Sequence, residues 1–167
     1  MSSPAEKILA DPDRELLRHT LATLAYRGGK AMRGAPDTFA HFRASPKTRT
    51  PVEILAHMGD LMDWALSIAQ GRQQWQDSTS LSWDAEMDRF FTALQAFDTY
   101  LASGVAVHQS SEQLFQGPVA DAFTHVGQIA MLRRLAGAPV KGENYYQARI
   151  VTGRVGADQA AAVREFD

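Results

Sequence analysis

The sequence predicts an all-α fold: a four-helix bundle with a long connection between its first two helices and an irregular C-terminal tail. Three observations carry this. Apolar residues recur at three- and four-residue intervals in four separate segments, Ser, Thr, Pro and Gly stand where those segments begin and end, and no strand-like alternation of comparable strength competes with them. Loop lengths alone leave the bundle topology open.

The first helix is expected from Asp13 to about Arg27, where Leu16, Leu17, Leu21, Leu24 and Ala25 form one stripe, with Gly28-Gly29 ending it. From Lys30 to Arg49 the composition turns to Gly, Pro, Ser and basic residues, which predicts a long irregular connection anchored by Phe39 and Phe42. The second helix is the best bounded. In Thr50-Pro51-Val52-Glu53, Thr caps, Pro suits the first turn and Glu can bond back to close a capping box; Gly71 is the natural stop after about Gln70.

Ser82 or Asp84 can cap a third helix, in which Met87, Phe90, Phe91, Leu94, Phe97 and Leu101 repeat at helical spacing up to Ser103-Gly104. Gly117-Pro118 opens a fourth that runs to about Ala136 and closes at Gly137 and Pro139; if Ser110 to Gln116 add earlier turns, Pro118 becomes a kink. In the tail only Asp158 to Arg164 reads as a short helix. A chain of 167 residues suits one domain, with bundle core 13–137 and tail 138–167.

Composition narrows the function. A formal charge of −2, with basic residues scattered, argues against a nucleic-acid partner. No apolar run has the length of a signal or a membrane span, so no membrane is expected as partner and the cytoplasm is the expected location. The absence of cysteine removes disulfides, a thiolate nucleophile and Cys-type zinc sites, so any thiol chemistry needs a thiol from outside.

Three polar residues fall on apolar stripes. His57 shares a face of the second helix with Ile54, Leu61, Trp64 and Ile68; Asp121 and His125, one turn apart, share a face of the fourth with Ala122, Ile129 and Leu132. Burying such groups without partners costs about 1–3 kcal/mol each, and more for a charge, so compensation is required. A divalent metal supplies it, with the i, i+4 pair giving two ligands and the facing helix a third. The plainer alternative is a buried Asp121–His125 pair with His57 on a backbone carbonyl. His57 lies about 9 Å into its helix and His125 about 10 Å into the other, levels that match for parallel helices and demand an offset for antiparallel ones.

The stretches Thr50-Pro-Val-Glu-Ile-Leu-Ala-His57-Met-Gly-Asp-Leu and Asp121-Ala-Phe-Thr-His125-Val-Gly-Gln128-Ile resemble the metal-binding helices of DinB/YfiT-like proteins. There, one His on the second helix joins a His-x-x-x-His pair on the fourth, ahead of a Gly-Gln. The resemblance spans roughly Asp13 to Gly137 and implies a divalent-metal site (Zn, Ni, Fe or Mn) of His57, Asp121 and His125. It also implies a small-molecule substrate and, by analogy with thiol-dependent relatives, a low-molecular-weight thiol, hence a transferase or hydrolase. Asp121 stands where the family has His; a carboxylate there shifts preference toward Fe, Mn or Ni without excluding Zn. A non-catalytic metal-binding or ligand-sensing bundle is the other reading. A homodimer is an expectation from the aromatic-rich third helix.

Other signals are weaker. Arg27-Gly-Gly-Lys30 lacks the spacing of a phosphate loop. His19, His41 and His108 read as solvated, and Asp60 as either an acceptor for an imidazole or a solvated group. Trp64, Trp75 and Trp83 could form an aromatic wall, the tail around Glu143, Asn144 and Tyr145 could close over the site, and Arg133 and Arg134 favour a helix C-terminus.

Overall fold

The computed structural model describes residues 11–166, and its architecture is all-α, as expected. Helix α1 spans Pro12–Met32, α2 Pro51–Ala69 and α3 Trp83–Ala102; a fourth rod comprises α4, Ser111–Leu114, a π-helical turn at Phe115–Val119, and α5, Ala120–Leu135. Buried residues of all four rods form one core around Phe90, Phe97, Leu21, Leu55, Met58 and Leu94.

Local chemistry sets the helix starts. Asp11, Thr50, Ser82 and Ser110 each accept backbone N–H bonds in the first turn, and Thr50 and Glu53 complete the capping box. The stops obey different rules. Gly71, at φ 78°, and Gly137, at φ 77°, lie just beyond α2 and α5 in the left-handed region that glycine enters without strain.

Gly28-Gly29 does not end α1. The helix continues to Met32, and both glycines are buried where side chains of α3 and α5 come close: Phe90 and Val126 flank Gly28, and Phe91 flanks Gly29. Their small size serves packing, not termination. The connection holds a 3-10 helix at Asp37–His41 that buries Phe39, otherwise staying irregular. The fourth rod starts at Ser111, so Pro118 lies inside it; lacking an N–H, it sits in the π turn.

Residues 158–164 are not helical. The tail instead pairs β2, Glu165–Phe166, antiparallel to β1, Gly142–Glu143, with Gly142 opposite Phe166 and Glu143 opposite Glu165. Long-range contacts outweigh local propensity here: Lys30 bonds both Glu143 (2.7 Å) and Glu165 (2.8 Å), and Tyr26 bonds Glu143.

Contacts give the direction of each rod. α1 runs alongside the fourth rod in the same sense, with Leu17 near Ser111, Gly28 near Val126, and Arg133 bonded to the carbonyls of Ala31 and Arg33. It opposes α3, as Arg18 bonds Asp98 near the far end of that helix. α2 ends where the fourth rod is about to begin, since the His108 N–H donates to the Ala69 carbonyl, so α2 opposes that rod. The phenylalanines Phe90, Phe91 and Phe97 of α3 are buried within this core, which removes them as a dimer surface. Among the described residues no helix is long and apolar enough to cross a membrane.

Candidate metal centre

His57, on α2, and Asp121 and His125, on α5, come together. One ligand atom from each lies within 4.8 Å of the others. His57 Nε2 is 3.5 Å from Asp121 Oδ2, His125 Nε2 is 3.4 Å from Asp121 Oδ1, and the two imidazoles stand edge to face at 4.8 Å. The antiparallel helices reach this level because the fourth rod starts early: His125 is about 21 Å along it, not about 10 Å.

Exposure differs from the sequence expectation at one residue. His125 is buried and the His57 side chain is 20% exposed, but the Asp121 carboxylate is 46% exposed. The trio therefore occupies the rim of the bundle, and the burial penalty expected for Asp121 does not apply. A carboxylate at a helix face beside solvent can be hydrated at little cost.

The surroundings orient both rings. His125 Nδ1 is 2.9 Å from Gln128 Oε1, one turn further on; an amide oxygen only accepts, so Nδ1–H donates and Nε2 is the atom turned toward Asp121. His57 packs edge-on against Trp75 (5.6 Å between centroids), and Trp75 packs likewise against Trp64. Burial, then His125, then Arg49 push the His57 pKa below its ordinary value, against the opposing pull of Asp121. The shift favours the neutral ring, the form that ligates metal.

The donor set suits a divalent ion. Two imidazole nitrogens and a carboxylate are ligands for Zn, Ni, Fe or Mn. Ligand atoms about 2.1 Å from a shared cation are roughly 3.0–3.4 Å apart, and two of the separations here already approach that range.

The other sequence signals resolve separately. Asp60 is buried and belongs to a different network: it accepts from the Ser78 N–H (3.0 Å) and hydroxyl (2.6 Å) and from Arg89 Nη1 (3.0 Å), and not from an imidazole. Arg89 also bonds Glu86 and the Ala56 carbonyl. Trp83 packs on Phe39, apart from the other two tryptophans, and His19 bonds Thr152. Glu143 and Tyr145 pack on Tyr26, Arg27 and Lys30 of α1, so these tail contacts are with α1. Arg133 does more than favour a dipole: buried, it donates to the carbonyls of Ala31, Arg33, Gly34 and Ala138, closing the C-terminal ends of α1 and α5 together.

Sequence reasoning missed the roles of Gln128, Trp75 and Arg49. The spacing of Gln128 three residues after His125 was a usable signal. Trp75 and Arg49 lie in irregular connections, where no periodicity reveals a neighbour. No family model, curated protein or solved structure matches the chain.

Proposed function

We propose that this chain is a divalent-metal-dependent enzyme of the DinB/YfiT-like kind, acting in the cytoplasm on a small molecule, with His57, Asp121 and His125 as ligands. One observation carries the reading. His125 Nε2 and His57 Nε2, from two helices, converge on the Asp121 carboxylate at 3.4 and 3.5 Å, with Gln128 holding the far nitrogen of His125, an arrangement that a shared cation would draw together.

A divalent cation bound there would supply Lewis-acid polarisation and lower the pKa of a water or a thiol. The chain's own residues do the rest. Gln128 fixes the His125 tautomer, Trp75 limits rotation of His57, and the exposed side of Asp121 leaves room for substrate. The chain has no cysteine, so a thiol co-substrate, as the resemblance suggests, must be a separate low-molecular-weight compound. Transfer to that thiol and hydrolysis are the two reaction types this arrangement serves.

Elemental analysis of untagged protein purified without chelator tests the reading, followed by titration of the stripped protein with Zn, Ni, Fe and Mn. Near-stoichiometric uptake is expected, lost in Asp121→Ala and His125→Ala, and weakened about 10–100-fold in Gln128→Ala. Uptake that is absent, or unchanged in Asp121→Ala, would overturn it. The half-exposed carboxylate favours a second reading, in which the trio is a non-catalytic metal-binding or sensing cluster. In that case His57→Ala lowers thermal stability while no turnover is found across a broad panel of electrophiles.

A further inference from the structure

A cleft of about 500 Å³ opens between the start of α2 and the two long connections, and His57 lines it. Its other walls include Arg43, Lys47, Arg49, Glu53 and Asp77. These charges are not equally committed. Arg43 bonds the Thr48 carbonyl and Glu53, and Glu53 also accepts from the Thr50 N–H. Asp60, at the cleft floor, is occupied by Ser78 and Arg89.

Among the described residues Arg49 and Lys47 make no hydrogen bond or ion pair, and Asp77 is the one free carboxylate opposite them. Two free cations thus face one free anion. Arg49 directly precedes the N-cap Thr50, so the positive end of the α2 dipole lies beside it and adds to the same field. His57 lines the same cleft as Arg49, which links the cleft to the metal-ligand trio.

We propose that this cleft is a subsite for an anionic group, a carboxylate or a phosphate, on the small molecule handled at the trio, with Arg49 as anchor and Lys47 as support. The substrate class is therefore an organic acid or phosphate ester. Arg49 offers a planar fork that fits either anion with paired hydrogen bonds, and a cleft of this volume, lined by both residues, has room for a small molecule between Arg49 and His57. Its purpose rests on the reading of the trio as the reacting centre.

The test is an amide-resonance NMR titration of the metal-free full chain with succinate, with inorganic phosphate, and with the neutral isostere succinamide. Shifts at Lys47, Arg49 and His57 are expected with the two anions and not with the diamide, and the tighter anion names the group. Arg49→Gln should weaken binding about tenfold, whereas Arg14→Gln, which removes the same charge from the opposite end of the bundle, leaves it unchanged. Equal binding of succinamide, equal weakening by Arg14→Gln, full affinity in Arg49→Gln or no response to either anion would each overturn the subsite. Metal uptake is read separately on the same samples. Anion binding without metal uptake upholds the subsite and sinks the metal reading; metal uptake without anion binding does the reverse.

Discussion

Replacing Gly59 by alanine sets two physical effects against each other in the helix that carries His57. Intrinsic propensity favours alanine in a helix interior by about 1 kcal/mol. The structure opposes it, because a Cβ at Gly59 would lie 2.7 Å from Arg89 Cζ and 2.9 Å from both terminal nitrogens. A flexible side chain would ordinarily swing away, but this guanidinium is held on three sides: by Glu86 Oε2 (2.8 Å), by Asp60 Oδ1 (3.0 Å) and by the Ala56 carbonyl. Glu86 and Asp60 are buried, so moving Arg89 leaves both carboxylates short of their cation.

Breaking a buried ion pair costs about 3–5 kcal/mol. The Arg89 side chain keeps 23% of its surface in water and the carboxylates keep Ser78 and Leu81 as donors, so about 2–3 kcal/mol is the better figure here. The clash wins, and Gly59→Ala should be destabilised by roughly 1–2 kcal/mol, lowering Tm by about 5 °C for a chain of this size. Calorimetry on wild type, Gly59→Ala, Arg89→Ala and the double variant checks both magnitude and cause. With Arg89 removed, the same alanine should become stabilising. A Gly59→Ala protein that melts at or above the wild type, or a penalty that persists without Arg89, would refute the reasoning.

Two further expectations concern the scaffold. Arg133→Met removes a donor from four carbonyls at the C-terminal ends of α1 and α5, and should cost about 3–4 kcal/mol with early loss of hydrogen-exchange protection around residues 31–34; a loss below about 1 kcal/mol would contradict the role. The Thr50 N–H and hydroxyl hold Glu53 below its ordinary carboxylate pKa, so its contribution, screened by solvent at a side chain 42% exposed to no more than about 0.5 kcal/mol, is present above the unfolded value and lost as pH falls through the lowered one. Urea midpoints between about pH 6 and 3 should therefore fall less steeply in Glu53→Gln than in wild type, and parallel curves would sink the assignment.

Legibility in the sequence followed the range of the forces involved. The starts of α2 and α3 were readable because a cap is a local bond between residues three apart, and Thr50 and Ser82 carry it in their own side chains. The core face of α3 was readable because a 3.6-residue period needs no knowledge of the partner. Gly28-Gly29 misled because a glycine pair looks the same whether it ends a helix or admits Phe90 and Phe91, and only the neighbours decide. Pro118 could be read two ways, as a first turn or as an internal kink, and only the structure decides: Ser110 caps eight residues earlier and the π turn absorbs the missing N–H. The pairing of Glu165 with Lys30, 135 residues apart, left no trace in local pattern.

The polar groups of the molecule fall into two kinds, and the contrast bears on the proposed site. Asp60, Glu86, Asp98 and Glu143 are all buried acids, and each has a donor within 3.0 Å: Ser78, Arg89, Arg18 and Lys30 respectively. Among the described residues no buried side-chain nitrogen or oxygen lacks a partner, so the fold matches its polar groups carefully. Among the described residues, His57, Asp121 and His125 bring metal-ligand atoms from two helices together at 3.4 and 3.5 Å, beyond a good hydrogen bond, with Gln128 bonded to the far nitrogen of His125. Separations of this size around a common point, at a rim beside the Arg49 cleft, are what the proposed metal site needs.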